Sequence, residues 1–267
     1  MKLFHYLALL STLRPAFAQQ NPGGLFISPG QITRFETVLT VPGDSPGDVH
    51  GGQAKLIYNG IAPQLATGVL QNVVAWVDNS SLTGAPAGWF FYDVYCCSPP
   101  VMLSAGSGTR LYEGDLVSTS FLYQPANDVY QNTWFIQRGP AGAQSNAVNI
   151  NGSNIFDPKS EPQTINGITT DPEYQVASII IEVDGKNATW DWGYTMWNNT
   201  IIESSTNATH WCYEPLFIPQ DIDNGNIGYW YRSTIIVANT DGVSSTCCMR
   251  ALQMGLGTTF PNDLPPL

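Results

Sequence analysis

The chain has 267 residues, 43% hydrophobic and 12% aromatic, with 10 basic against 21 acidic residues and a formal charge of −11. A surface this acidic repels the phosphates of nucleic acid and of anionic lipid, so neither is expected as a partner. No stretch beyond the first residues approaches the ~20 apolar residues of a membrane helix.

In chain order, MKLFHYLALLSTLRPAFA (1–18) carries Lys2, an apolar run from Leu3 to Leu13 and a small-x-small ending at Ala16 and Ala18. This is the pattern of a secretory signal peptide, and secretion is expected. Five Asn-x-Ser/Thr sequons, at Asn79, Asn151, Asn187, Asn198 and Asn207, suit such a chain. No linker divides residues 19–267, which predicts a single domain.

Period-two segments then follow one another: ITRFETVLTV, GVLQNVVAWV, GWFFYDVY, DLVSTSFLYQ, YQNTWFIQR, ASIIIEV, ATWDWGYTMW and STIIVAN. They are rich in β-branched and aromatic residues and bounded by Gly, Pro, Asn and Asp. Between YQNTWFIQR and ASIIIEV the chain turns polar over 139–175, which reads as a long inserted loop. EVDGKNATW predicts a hairpin with Asp184-Gly185 at its tip, and CCMRALQM is the best helical candidate. The fold class predicted is all-β, an antiparallel β-sandwich or jelly roll with long inserted loops, because each half-buried sheet needs a second layer.

GWFFYDVY places Trp89, Phe91, Asp93 and Tyr95 on one face. A carboxylate among three rings is costly on a sealed face. A concave, water-accessible face lined with aromatics removes the conflict, and Trp76, Trp89, Phe91, Tyr95, Trp190 and Trp192 become candidates for stacking on a ligand.

The cysteines are Cys96, Cys97, Cys212, Cys247 and Cys248. Adjacent Cα atoms are only ~3.8 Å apart, so a Cys96–Cys97 ring would be strained. Bridges from this pair to Cys212, Cys247 or Cys248 are expected instead, tying the strand to the C-terminal segment and leaving one thiol over.

Three segments resemble the eqolisins, the fungal glutamic peptidases: FETVLTVPGD, GIAPQLATGVLQNV, and FFYDVYCCSP followed by LYEGDLVST. The resemblance covers roughly 34–120. It implies a jelly roll whose concave face carries a catalytic Gln, at Gln71, and a catalytic Glu. For the latter ASIIIE offers Glu182 and CYEPLFIPQD offers Glu214, with Gln220 a further position in that segment. Asp93 would replace an active-site-face Glu with a shorter acid.

Such chemistry needs a carboxylate as general base and an amide to hold the oxyanion, a role for which Gln has an NH2 donor. With His50 and His210 alone beyond the leader, no metal site is expected, nor any cofactor. SAGSGTR lacks the form of a serine-nucleophile elbow. The expected ligand is a polypeptide, a glycan or a small apolar molecule, bound by a monomer. The function expected is acid endopeptidase activity through a Gln/Glu pair on the concave sheet face, and the alternative is a jelly roll without it that binds carbohydrate, or binds or converts a small apolar molecule, in an aromatic groove.

Overall fold

The computed structural model describes residues 22–43, 55–64, 68–77, 87–96, 101–103, 108–161, 163–165, 168–183, 190, 193–218, 220–221, 226–238 and 241–257. Alternating apolar residues in almost every segment drive the chain into two antiparallel sheets packed face to face, a sandwich.

The first sheet has, from edge to edge, β15 (Leu216–Ile218), β1 (Gly23–Ile27), β13 (Tyr174–Val183), β3 (Lys55–Pro63), β4 (Val69–Val77), β5 (Gly88–Cys96) and β6 (Val101–Met102), with β7 (Thr109–Arg110) also on β5. The second has β10 (Ile150–Phe156), β9 (Val129–Gln137), β8 (Leu116–Gln124), β2 (Ile32–Thr40), β14 (Tyr194–Ser204), β19 (Ser245–Gly257), β17 (Asn226–Arg232) and β16 (Gln220–Asp221), with β18 (Ile235–Ala238) on β19. β11 (Gln163–Ile165) and β12 (Ile168–Thr170) form a separate pair.

Between the sheets lies one large apolar cluster, in which Phe26, Phe35, Phe121, Trp89 and Trp197 are fully buried. Trp89 is its local centre, packed edge-on against Trp76 and tilted on Trp190. A turn is pinned at the rim by Asp115, itself fully buried. Its carboxylate accepts from Arg138 at 2.6 Å and from the backbone N–H groups of Tyr112 and Gly139.

Several expectations are corrected. The polar stretch 139–175 holds the helical turn Pro140–Gln144, the edge strand β10, the β11–β12 pair and the start of β13, because its apolar residues are spaced for an edge strand rather than a core one. CCMRALQM is extended within β19, where cross-strand neighbours on β14 and β17 outweigh its helical spacing. EVDGKNATW does not join a hairpin: β13 and β14 lie in different sheets, so the chain crosses the sandwich there. The tip, Asp184-Gly185, lies outside the described residues, as do the leader and most of SAGSGTR.

The disulfide expectation is also corrected. Cys212 is joined to Cys247, linking the helical turn His210–Tyr213 to β19, and Cys248 is free. Cys96 is disulfide-bonded as well, but those assignments leave it no C-terminal partner, so no bridge ties β5 to that segment. The cause is alternation on β19, which turns Cys247 into the core and Cys248 outward.

Candidate functional site

The face carrying Trp89, Phe91, Asp93 and Tyr95 is the sealed inner one. Trp89 and Phe91 are buried, as is Trp76 on β4, and Tyr95 stacks on Phe156 at 4.9 Å. These four rings are core rather than the lining of an open groove, and Trp190 joins them. Trp192 lies outside the described residues.

Asp93 is 2% exposed, and a hydrogen-bonded seam through the sandwich makes its burial tolerable. In the first sheet Asn59, Asn72 and Asp93 are side by side on β3, β4 and β5. Each meets a partner from the opposite sheet. Asn59 donates to Thr119 on β8 at 3.0 Å, Asn72 and Asn132 on β9 exchange amide bonds at 2.9 and 3.2 Å, and Asn154 on β10 donates to Asp93. Thr37 and Thr200 add a hydroxyl pair at 2.9 Å. The seam fixes the register of one sheet over the other, since a slip by one residue would bury every member without a partner.

Gln71 points the other way, to the outer face of the first sheet, where it is 7% exposed beside Val69, Val73 and Val94. Its cross-strand neighbour is Gly60, and beyond that comes Ser178. A Cβ at position 60 would lie 2.8 Å from the Leu70 carbonyl and 3.0 Å from the Gln71 Cβ, so glycine makes room for the amide.

Neither proposed acid comes to this row. Glu182 lies two strands over and four residues along, roughly 16 Å away from ideal sheet spacings. It bonds the Tyr58 hydroxyl, whose pKa burial first, and then this carboxylate, push well above the ordinary tyrosine range. Glu214 is exposed at the end of the helical turn His210–Tyr213, next to β15 and four strand spacings from β4, roughly 19 Å. Gln220 is on β16, at the far edge of the other sheet. Among the described residues the row of Gln71 therefore offers a hydroxyl, at Ser178, where a water-activating peptidase needs a carboxylate.

An open feature among the described residues lies elsewhere. On the outer face of the second sheet β10, β9, β8, β2 and β14 form a trough of about 550 Å³, within the range of ligand sites. One row across it runs Ser153, Thr133, Ser120, Glu36 and Ile201, and the next runs Asn151, Phe135, Ser118 and Val38. Phe135 is 40% exposed. Glu36 accepts from Ser120 at 3.3 Å and from Arg34 at 2.6 Å, and that bond first of all raises the Arg34 pKa further. Hydroxyls, amides, one carboxylate and one exposed ring make a surface that exchanges hydrogen bonds with a neutral polar ligand. The alternation of DLVSTSFLYQ and YQNTWFIQR marks these residues as one face, but the sequence reading did not single them out.

Of the sequons, Asn151 and Asn207 are exposed and Asn198 is half-buried, while Asn79 and Asn187 lie outside the described residues. No group of three or more His, Cys, Asp or Glu side chains placed to hold a metal occurs among the described residues, and no helix among them is long and apolar enough to cross a membrane.

No family profile matches the chain, and no curated protein sequence does. Among solved structures, scytalido-glutamic peptidase bound to a transition-state analogue inhibitor is similar over 86% of this chain and 98% of its own, with 13% identity and a TM-score of 0.43. SCP-B, an eqolisin-family peptidase in complex with the tripeptide Ala-Ile-His, is similar over the same shares at 13% identity and a TM-score of 0.39. The relationship is a distant structural one.

Proposed function

We propose that this is a secreted, glycosylated β-sandwich protein that binds carbohydrate in the trough of its second sheet. The observation that carries this reading is the pairing of an exposed ring, Phe135, with outward hydroxyls and amides on β8, β9, β10 and β14 and the Glu36 carboxylate on β2 between them. Sugars present the same combination, an apolar C–H face and a rim of hydroxyls. Glu36, held between Arg34 and Ser120, is oriented to accept from a pair of sugar hydroxyls. The test is retention of the purified protein on a panel of neutral polysaccharides. Retention that weakens about tenfold in Phe135→Ala, the size of a lost ring contact of ~1.4 kcal/mol, supports it. No retention on any member of the panel, whether or not the protein carries its N-glycans, overturns it.

A second reading, acid peptidase activity, is favoured by one observation, the amide of Gln71 at the middle of an outer sheet face. It requires a carboxylate supplied from beyond the described residues to act as base. Cleavage of denatured protein in acid, lost in Gln71→Ala, would establish it. Absence of cleavage, or cleavage untouched by that substitution, removes it.

A further inference from the structure

Asn151-Gly152-Ser153 is a sequon within a strand, β10, rather than in a loop. Strand alternation turns Asn151 and Ser153 out onto the trough, where both are exposed, and Gly152 inward. Glycine is required in the middle: a Cβ there would fall 2.2 Å from the Trp134 ring. Directly across the strand pair from Asn151 is Phe135, its ring open on the same face. Cβ atoms of such neighbours are about 4.5–5.5 Å apart, the span of one sugar ring.

We propose that Asn151 is N-glycosylated and that its first N-acetylglucosamine packs on Phe135, so that the chain's own glycan occupies the trough and competes with outside ligands. This rests on the reading of the trough as a carbohydrate site and names its resident occupant. In the modification, the Asn151 Nδ2 attacks the anomeric carbon of an oligosaccharide carried on a lipid diphosphate. The N–C bond forms, the C–O bond to the diphosphate breaks, the amide proton is lost to a base, and the lipid diphosphate departs. Ser153 supplies the hydroxyl that the acceptor needs at the third position. Transfer precedes pairing of β10, while the triplet is still extended and free. Folding then lays the sugar across the strand pair, its C–H face on Phe135 and its hydroxyls toward Ser118 and Thr133.

The experiment uses the full chain secreted from a glycosylating eukaryotic host. Mass spectrometry of the peptide containing Asn151 should find it occupied in most molecules. Asn151→Gln and Ser153→Ala should each lower Tm by roughly 2 to 4 °C, the shift of a modest contact in a chain of this size. That decrement should vanish in a Phe135→Ala background. Enzymatic trimming of the wild type to a single N-acetylglucosamine should leave Tm unchanged, and complete removal, which hydrolyses the side-chain amide and leaves Asp at position 151, should lower it to the value of Asn151→Asp. An unoccupied Asn151, a decrement that survives Phe135→Ala, or complete removal without a Tm change overturns the inference.

Retention on the polysaccharide panel separates this from the wider proposal. Binding that strengthens in Asn151→Gln supports both. Equal binding with and without the glycan keeps the carbohydrate reading and overturns this one. An occupied Asn151 whose stabilisation depends on Phe135, with no retention in any variant, keeps this inference and removes the other.

Discussion

Strands β8 and β9 each present polar side chains to two different surroundings. Inward, Thr119 and Asn132 meet Asn59 and Asn72 of the opposite sheet and are almost wholly buried. Outward, Ser118, Ser120, Gln131 and Thr133 line an open trough. The residue types are alike, and only the presence of a second sheet on one side separates them. Inside, each polar group must find a protein partner, so the seam specifies register. Outside, water can be exchanged for a ligand's hydroxyls, so the trough is free to recognise.

Substitutions divide along the same line, and the strongest test falls on the inner face. Trp89→Ala should destabilise by about 3–5 kcal/mol, the cost of emptying a fully buried indole site. Denaturant unfolding measures it, and a variant with wild-type stability but weakened ligand retention would show that Trp89 stacks on a ligand rather than filling the core. Next comes the seam. Asn132→Leu should cost about 1–3 kcal/mol because it strands the buried Asn72 amide, whereas Asn72→Leu combined with Asn132→Leu should lie close to the wild type. A double substitution as costly as the sum of the singles would show that the two amides do not act as a pair.

On the outer face the expected effects are reversed in kind. Glu36→Gln should reduce polysaccharide retention several-fold while moving stability by no more than ~0.5 kcal/mol. Equal losses of stability and binding would mean that the trough is structural after all.

The smallest effect is a pH dependence at the surface. Bonds from Lys159 first, and then from Tyr123, lower the Asp128 pKa below its ordinary 3.8, and the Ser244 N–H first, then the Val243 N–H and the Ser244 hydroxyl, lower that of Asp241. A depressed carboxylate stabilises the fold above its unfolded pKa, and that contribution is lost as the pH falls through the folded value. Asp128→Asn and Asp241→Asn should therefore slightly lower Tm near neutrality and flatten its fall below pH ~3.8. Thermal scans across that interval check the sign, and an unchanged slope would show that these bonds do not persist in solution.

Much of the scaffold was legible. The segments around Ile32–Thr40, Val69–Val77, Gly88–Cys96, Leu116–Gln124 and Val129–Gln137 were all marked as strands by alternation, and the sandwich followed from their number. β10 was missed because INGSNIF, on a sheet edge, alternates polar with polar and carries two asparagines that signal turns. β19 was misread because CCMRALQM contains strong helix formers, which long pairing on both sides overrides. Asp93 stands out in the sequence as a carboxylate among rings, but the partner that makes its burial tolerable, Asn154, is 61 residues away on β10, which alternation does not mark.

By itself, then, the sequence determined which side chains share a face, since the period of a strand is two and needs no partner to be read. It could not determine which face is inside. On GWFFYDVY both faces carry rings, and on LVSTSFLYQ both carry hydroxyls, so local hydrophobicity does not choose between them. The tertiary structure decided that by laying β8, β9 and β10 over β3, β4 and β5, where three cross-sheet pairs, Asn59 with Thr119, Asn72 with Asn132 and Asp93 with Asn154, hydrogen-bond polar side chains of one face and leave the other to solvent.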